Sequence, residues 1–233
     1  AETGLVADVL VRVTPGIEAH THEFIATGHD DSKFGFTFST GLADRAIDRA
    51  SVSPATRLHG IHAHIGSQVF AVDSMRASAE LLSEIAGRYS LPELSVGGGL
   101  GVAYVTGEEG LTISQWGKAV LEGARASGVE ARILAEPGRS IVATAGMTVY
   151  RVGTIKRLDG IRTYVAVDGG MSDNPRPVLY GSGYEAFVPT RAGVERDFEV
   201  RVVGKHCESG DIIVREAMVP EDLAVGDLLV TPV

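Results

Sequence analysis

Cysteine is nearly missing from this 233-residue chain, where Cys207 is the only one. A single thiol closes no internal disulfide, so a reducing cytoplasm is the expected compartment. Positive charge is scarce as well. Lys and Arg number 21 against 30 Asp and Glu, giving a formal net charge of −9. That balance offers no basic footprint for phosphates and excludes a general nucleic-acid binder. No apolar run approaches the ~18 residues that span a bilayer, so no membrane partner is expected. The opening AETGLVADVLVRVTPG has neither the basic start nor the small-residue cleavage site of a secretory signal. Tryptophan occurs once, and there is no internal repeat. What remains is 44% hydrophobic and 22% charged, the composition of a globular protein with a sizeable core in one large or two smaller domains.

Two textures divide the chain. Up to about Gly146, short β-rich runs alternate with helical patterns. VADVLVRVTPG (6–16), RLHGIHAHIGS (57–67), ELSVGGGLG (93–101) and ARILAEPGR (131–139) read as strands running into glycine or Pro-Gly. Between them, Met75, Ala79, Leu82, Ile85, Ala86 and Tyr89 recur at helical spacing over 73–89. Trp116, Val120, Leu121 and Ala124 do so over 114–127, with Ser114 as the expected N-cap. This alternation predicts a parallel sheet with helices outside. From Met147 onward, MTVYRVGTIKRL, IRTYVAVDGGM, DFEVRVVGKHC, DIIVREAMV and GDLLVTPV read as strands without a helix between them, predicting an antiparallel β domain over 147–233.

Ionisable groups and glycines collect where the parallel strands end, which is the functional face of parallel α/β architectures. The run SVGGGLG can bring backbone N–H groups close to an anion, or it can be a tight turn. It is not the dinucleotide fingerprint, because Val102 and Tyr104 stand where that pattern needs glycine. His62 and His64 point to one side of a strand, as metal ligands can. A metal hydrolase is therefore a distant alternative, with AHTHE (19–23) as a further source of ligands; a core histidine is the plainer reading of His62, and no metal is expected. In AEPGRS, Glu136 either pairs with Arg139 as a structural ion pair, or holds a proton on a heteroaromatic nitrogen while the Pro-Gly turn donates to an anion. Arg176, between two prolines with Tyr180 following, suits a carboxylate, or lies in an ordinary surface loop. Cys207 is either a small buried hydrophobe or a functional thiol.

Taken together, VTPGIEAHTHEFI, DSKFGF, HAHIGSQ, GGGLG, AEPGR, DGGMSDNPRPVLYG and GKHCESGDI resemble, in order and spacing, the fold-type III pyridoxal-phosphate-dependent decarboxylases. The resemblance covers essentially the whole chain and is nearest to the branch that converts meso-2,6-diaminopimelate to L-lysine and CO2. It implies that residues 1–146 are part of a (β/α)8 TIM-like barrel holding pyridoxal 5′-phosphate. His64 would lie on the ring and Glu136 at its nitrogen, with Ser67, Gly98, Gly99 and the Gly138–Arg139 backbone around the phosphate. Arg139, Arg176, Tyr180 and Glu208 would hold the distal end of an amino-acid substrate. Cys207 would be the acid that reprotonates carbon, reaching the cofactor across a homodimer interface with shared active sites.

Two family parts have no counterpart here. The Schiff-base lysine of the family lies near its amino end, whereas this chain has Lys33, Lys118, Lys156 and Lys205, none of which matches it. The family's carboxyl-terminal tyrosine segment is also absent. A whole barrel takes about 250 residues, so the expectation is an internal piece of a longer polypeptide, inactive alone, with open sheet edges that favour association. The alternatives are a related ornithine, arginine or carboxylated-polyamine decarboxylase, and a non-catalytic binding protein of the same fold.

Overall fold

The structure, a computed structural model, describes residues 4–17 and 27–232. The AHTHE stretch, with His20 and His22, lies outside them. Contacts divide the chain into two units, 1–102 with 109–141, and 103–108 with 142–233. The division falls at 141/142 instead of Gly146, and the short 103–108 segment belongs with the second unit. Tyr104 explains why, because it is buried in the second core with its ring edge-on to Tyr184 at 5.2 Å.

The first unit contains β1 (Ala7–Thr14), β2 (Phe36–Thr37), α1 (Leu42–Val52), β3 (Thr56–His62), α2 (Val72–Arg88), β4 (Glu93–Ser95), α3 (Ile113–Ala126) and β5 (Arg132–Leu134), and all but the last residue of the single-turn α4 (Arg139–Val142). Its sheet runs β2-β1-β3-β4-β5, and every pairing is parallel. The described strands form an open sheet of five, so the parallel α/β layer is present while the barrel is not closed by them. Helix α1 is not legible as a helix from the sequence. Its inward face is Ala43, Ala46, Ile47 and Ala50, mostly small side chains that give a weak apolar signal.

Helix α2 buries Met75, Ala79, Leu82, Ile85 and Ala86, the face expected from the spacing. Helix α3 starts two residues earlier than Ser114 would set it. Thr112 is the N-cap, accepting from the Gln115 N–H at 3.2 Å, while the Gln115 side chain accepts from the Thr112 N–H at 2.9 Å. This reciprocal capping box satisfies two otherwise orphaned donors, which Ser114 inside the first turn could not do. The two helices pack closely at Gly123, where a Cβ would come within 2.2 Å of the Arg76 carbonyl.

The strand register determines what stands at the carboxyl edge. His62 pairs with Ser95 and Ser95 with Leu134, so β3, β4 and β5 end in one row. The loops that follow carry His64, Gly97–Gly101 and Glu136, and emerge on the same side.

The second unit contains β6 (Met147–Leu158), β7 (Arg162–Val167), α5 (Arg176–Tyr180), β8 (Phe198–Val203), β9 (Ile212–Val219) and β10 (Leu228–Pro232). These five strands match the five strand-like runs of the sequence, but the sheet is not purely antiparallel. In the order β10-β6-β7-β8-β9, the β7–β8 pair is parallel. The segment 168–197 between them holds α5 and a 3₁₀ turn at Pro189–Arg191. It is long enough to carry the chain back to the starting end, as a parallel return requires and a tight hairpin cannot provide. The core gathers Val152, Val165, Val200, Val202, Ile213, Val219 and Leu229. Among the described residues no helix is long and apolar enough to cross a membrane.

At Gly60, opposite Glu93 in the β3–β4 ladder, a Cβ would stand 2.0 Å from the Glu93 carbonyl. Gly60→Ala is expected to destabilise the protein by about 1–3 kcal/mol, because the strands must part to accept it. Urea unfolding measures this, and an unchanged midpoint would contradict the pairing.

Candidate functional site

The row of strand ends in the first unit borders a cavity of about 190 Å³ lined by His64, Ser67, Gln68, Gly99, Leu100, Glu136, Gly138, Arg139 and Ser140. Six residues singled out from the sequence thus meet in one place. Gly98, the seventh, donates its backbone N–H to His64 Nδ1 at 3.2 Å. The glycines are there because backbone occupies the space side chains would need. A Cβ at Gly98 would come within 2.3 Å of the Glu136 carbonyl, and one at Gly99, where φ is +101°, within 2.0 Å of the Gly66 carbonyl. Gly138 differs, since a Cβ there would meet nothing within 4 Å.

Glu136 is the electrostatic centre. Ser95 Oγ donates to its Oε1 at 2.7 Å, and His62 Nε2 lies 3.2 Å from its Oε2. Burial pushes this carboxyl up, but the Ser95 hydroxyl and the charge and hydrogen bond of His62 outweigh burial, and the carboxyl stays below its usual range. Both imidazoles are lowered as well, chiefly by burial. Burial holds His62 below its ordinary value against the opposing pull of Glu136. Burial, followed by the Arg12 and His62 charges, lowers His64. At neutral pH the site therefore holds an anionic carboxylate between neutral imidazoles. Because His64 Nδ1 accepts from Gly98, its proton sits on Nε2.

The partner of Glu136 is thus His62. The sequence alone makes His62 a core histidine and does not single out Ser95 at all. Ser95 is fully buried, a polar residue at the inner end of an apolar strand. That placement is the available signal, but only the register brings Ser95 opposite His62. Gln68 is a further residue that sequence reasoning misses. Its amide brackets Val102, donating to the carbonyl at 2.9 Å and accepting from the N–H at 3.0 Å, and so ties the HAHIGSQ turn to the end of the glycine run.

The second unit carries the other candidates. The Arg176 guanidinium lies 5.1 Å from the Tyr104 ring centroid and 5.4 Å from that of Tyr180, and donates to Ser182 Oγ at 3.1 Å. Cation–π contact on two rings restricts the long side chain to one placement. The ordinary-loop reading of Arg176 does not account for this. Cys207 is an exposed free thiol, which overturns the small-buried-hydrophobe alternative. Glu208 beside it is exposed and accepts from the Gly210 N–H at 3.2 Å.

Residues 1–143 match the family described as pyridoxal-dependent decarboxylase, pyridoxal binding domain. The chain belongs to this decarboxylase family. It is 47% identical over 244 residues to a diaminopimelate decarboxylase of Corynebacterium efficiens, covering 98% of this chain and 53% of that protein. It is 43% identical over 239 residues to one of Bacillus subtilis, covering 98% and 54%. The chain therefore spans about half the length of the curated relatives it matches. Among solved structures, diaminopimelate decarboxylase of Helicobacter pylori complexed with L-lysine superposes with a TM-score of 0.87 at 32% identity, covering 99% of this chain and 57% of that one. A lysine/ornithine decarboxylase of Vibrio vulnificus, at 22% identity, TM-score 0.75 and coverage of 97% and 57%, shares the fold.

The residues lining the cavity fit the group that names the family. A protonated pyridine nitrogen calls for a carboxylate kept anionic, which Glu136 supplies. A phosphate calls for backbone and hydroxyl donors with a cation nearby, and the glycine turn, Ser67 and Arg139 supply them. None of the four lysines lines the cavity.

Glu136 raises the pKa of both His62 and His64, so removing its charge moves both down. Glu136→Gln is expected to make both imidazoles titrate at lower pH than in the parent, as read from histidine ring proton shifts by NMR. The folded imidazoles already titrate below the unfolded value of about 6.5. Their contribution to stability is thus present above that pH and is lost as the pH falls through the folded values. An upward shift in the variant would contradict the pairing.

Proposed function

We propose that the protein to which this chain belongs converts meso-2,6-diaminopimelate to L-lysine and CO2, with pyridoxal 5′-phosphate held at the ends of β3, β4 and β5. The observation that carries this reading is Glu136, a carboxylate kept ionised by Ser95 and His62 in a cavity floored by glycine. Bound there, the cofactor supplies an electron sink for the carbanion left when CO2 departs. Glu136 would keep a proton on the ring nitrogen, and neutral His64 would cover the ring face without adding a competing charge. Ser67, Gly98, Gly99, Gly138 and the Arg139 backbone would hold the phosphate in an irregular nest of donors.

Substrate choice would rest on charge pattern. Arg139 and Arg176 match a distal carboxylate and Glu208 a distal ammonium, a combination that a simple diamine precursor does not need. Tyr180 would contribute its hydroxyl there, besides its ring beneath Arg176. Cys207 would deliver the proton to the carbon that has lost CO2, which asks for an exposed thiol on a fixed loop. In this reading the loop enters the cavity of a second copy, making a homodimer with shared active sites the working unit, in the cytoplasm. Supporting the substrate assignment are the curated relatives at 42–47% identity named diaminopimelate decarboxylase. Structures of two such enzymes, from H. pylori and M. jannaschii, contain L-lysine, the product of the proposed reaction.

The test is L-lysine formation from meso-2,6-diaminopimelate by the full-length protein. Cys207→Ala is expected to lower kcat by roughly 10²- to 10⁴-fold, the usual weight of a general acid. Arg176→Ala is expected to raise KM by about tenfold or more, as loss of a charge-assisted contact implies. An unchanged KM together with turnover of ornithine would overturn the substrate assignment in favour of a diamine-forming decarboxylase.

A further inference from the structure

Two loops of the second unit, 168–175 after β7 and 204–211 between β8 and β9, meet on one buried carboxylate. Asp211 is 3% exposed. Its Oδ1 accepts the Met171 N–H at 2.6 Å and its Oδ2 the His206 N–H at 2.8 Å, one bond to each loop. Two further links run alongside. The Lys205 N–H donates to the Gly169 carbonyl at 2.9 Å, and Ser172 Oγ and His206 Nε2 share a hydrogen bond of 2.8 Å.

The packing around this carboxylate is closed. A Cβ at Gly204 would stand 2.2 Å from Asp211 Oδ2, and one at Gly170 would stand 2.7 Å from the His206 ring and 2.8 Å from Oδ2. At Gly169 a Cβ would strike the Tyr150 ring at 2.2 Å. The glycines of DGGM and of GKHC are therefore demanded by Asp211, His206 and Tyr150. A carboxylate this deeply buried is costly unless N–H groups satisfy it, and here they come from both loops. Neither loop can move away without leaving Asp211 short of a donor.

We propose that Asp211 is a positioning residue, a clamp that fixes the loop carrying Cys207 and Glu208 against the loop leading into Arg176. One carboxylate then sets the placement of the proton donor and of the carboxylate-binding arginine together. The inference rests on the roles given to Cys207 and Arg176 above. It predicts that weakening a single buried contact disturbs turnover and substrate affinity at once, although Asp211 touches neither substrate nor cofactor.

Asp211→Asn in the full-length protein tests it. Asparagine keeps the shape but turns an amide NH₂ toward one of the two N–H donors, so one bond is lost in either orientation. Hydrogen exchange read by mass spectrometry should quicken about tenfold or more in the peptides containing Met171 and His206, while β6 stays as protected as before. In the same variant kcat should fall and KM rise, and adding Asp211→Asn to Cys207→Ala should lower kcat no further. Unchanged exchange in both peptides overturns the clamp. A lower melting temperature with unaltered kcat and KM overturns the positioning role, leaving a merely structural one. If Cys207→Ala alone leaves kcat intact, the reading of Cys207 has failed, and exchange with KM decides the clamp without it. Should Asp211→Asn not fold, Ser172→Ala removes only the exposed His206 contact. It should move kcat and KM in the same directions by a smaller factor, and no movement in either would count against the proposal.

Discussion

Parallel pairing is the constraint on which both candidate sites depend. A strand paired parallel to its neighbour delivers its following loop to the same edge, so chemistry scattered along the sequence is gathered without any long-range search. In the first unit the row His62, Ser95, Leu134 brings the turns holding His64, Gly98 and Glu136 onto one cavity. The second unit repeats the device with one pair only. Ala166 of β7 lies opposite Val203 of β8, and the DGGM and GKHC loops leave the sheet side by side. An antiparallel pairing of the same strands would have sent these loops to opposite ends.

Both sites are also built around a carboxylate, one open to solvent and one enclosed, and they hold it differently. Glu136 is exposed and is kept ionised by a serine hydroxyl and an imidazole, so its charge stays available to a ligand. Asp211 is buried and spends its oxygens on backbone N–H groups, so its charge is consumed in holding chain segments together. Glycine serves each arrangement, because only a residue without Cβ lets backbone carbonyls or a carboxylate approach at the distances seen here.

Much of this architecture is legible in the amino-acid sequence. Four of the five described strands of the first unit, all five of the second, the buried face of α2 and the residues around the cavity follow from periodicity and from motifs read against strand ends, whereas the two-residue β2 does not. Other features do not either. Helix α1 turns inward a stripe made mostly of alanine, which carries little apolar signal. Thr112 outranks Ser114 as a cap only because Gln115 reciprocates, a property of a pair. The partners of Glu136 require register, since Ser95 lies 41 residues and His62 lies 74 residues from it. The parallel β7–β8 pair escapes sequence reasoning for a related reason. Strand-like runs carry no direction relative to one another, and the long crossover between them reads only as a loop presenting Arg176.

The excursion of residues 103–108 has a consequence for how the two units could ever be separated. The chain leaves the first unit at Val102, contributes Tyr104 to the second core, returns for α3 and β5, and then leaves again. No single scission divides it into two complete modules. A piece beginning at Val142 would lack the ring packed edge-on to Tyr184 and would open a void among residues that are otherwise fully enclosed. Inheritance by recombination faces the same arithmetic, so exchanging the β domain between relatives requires carrying a six-residue passenger from the other half of the sequence.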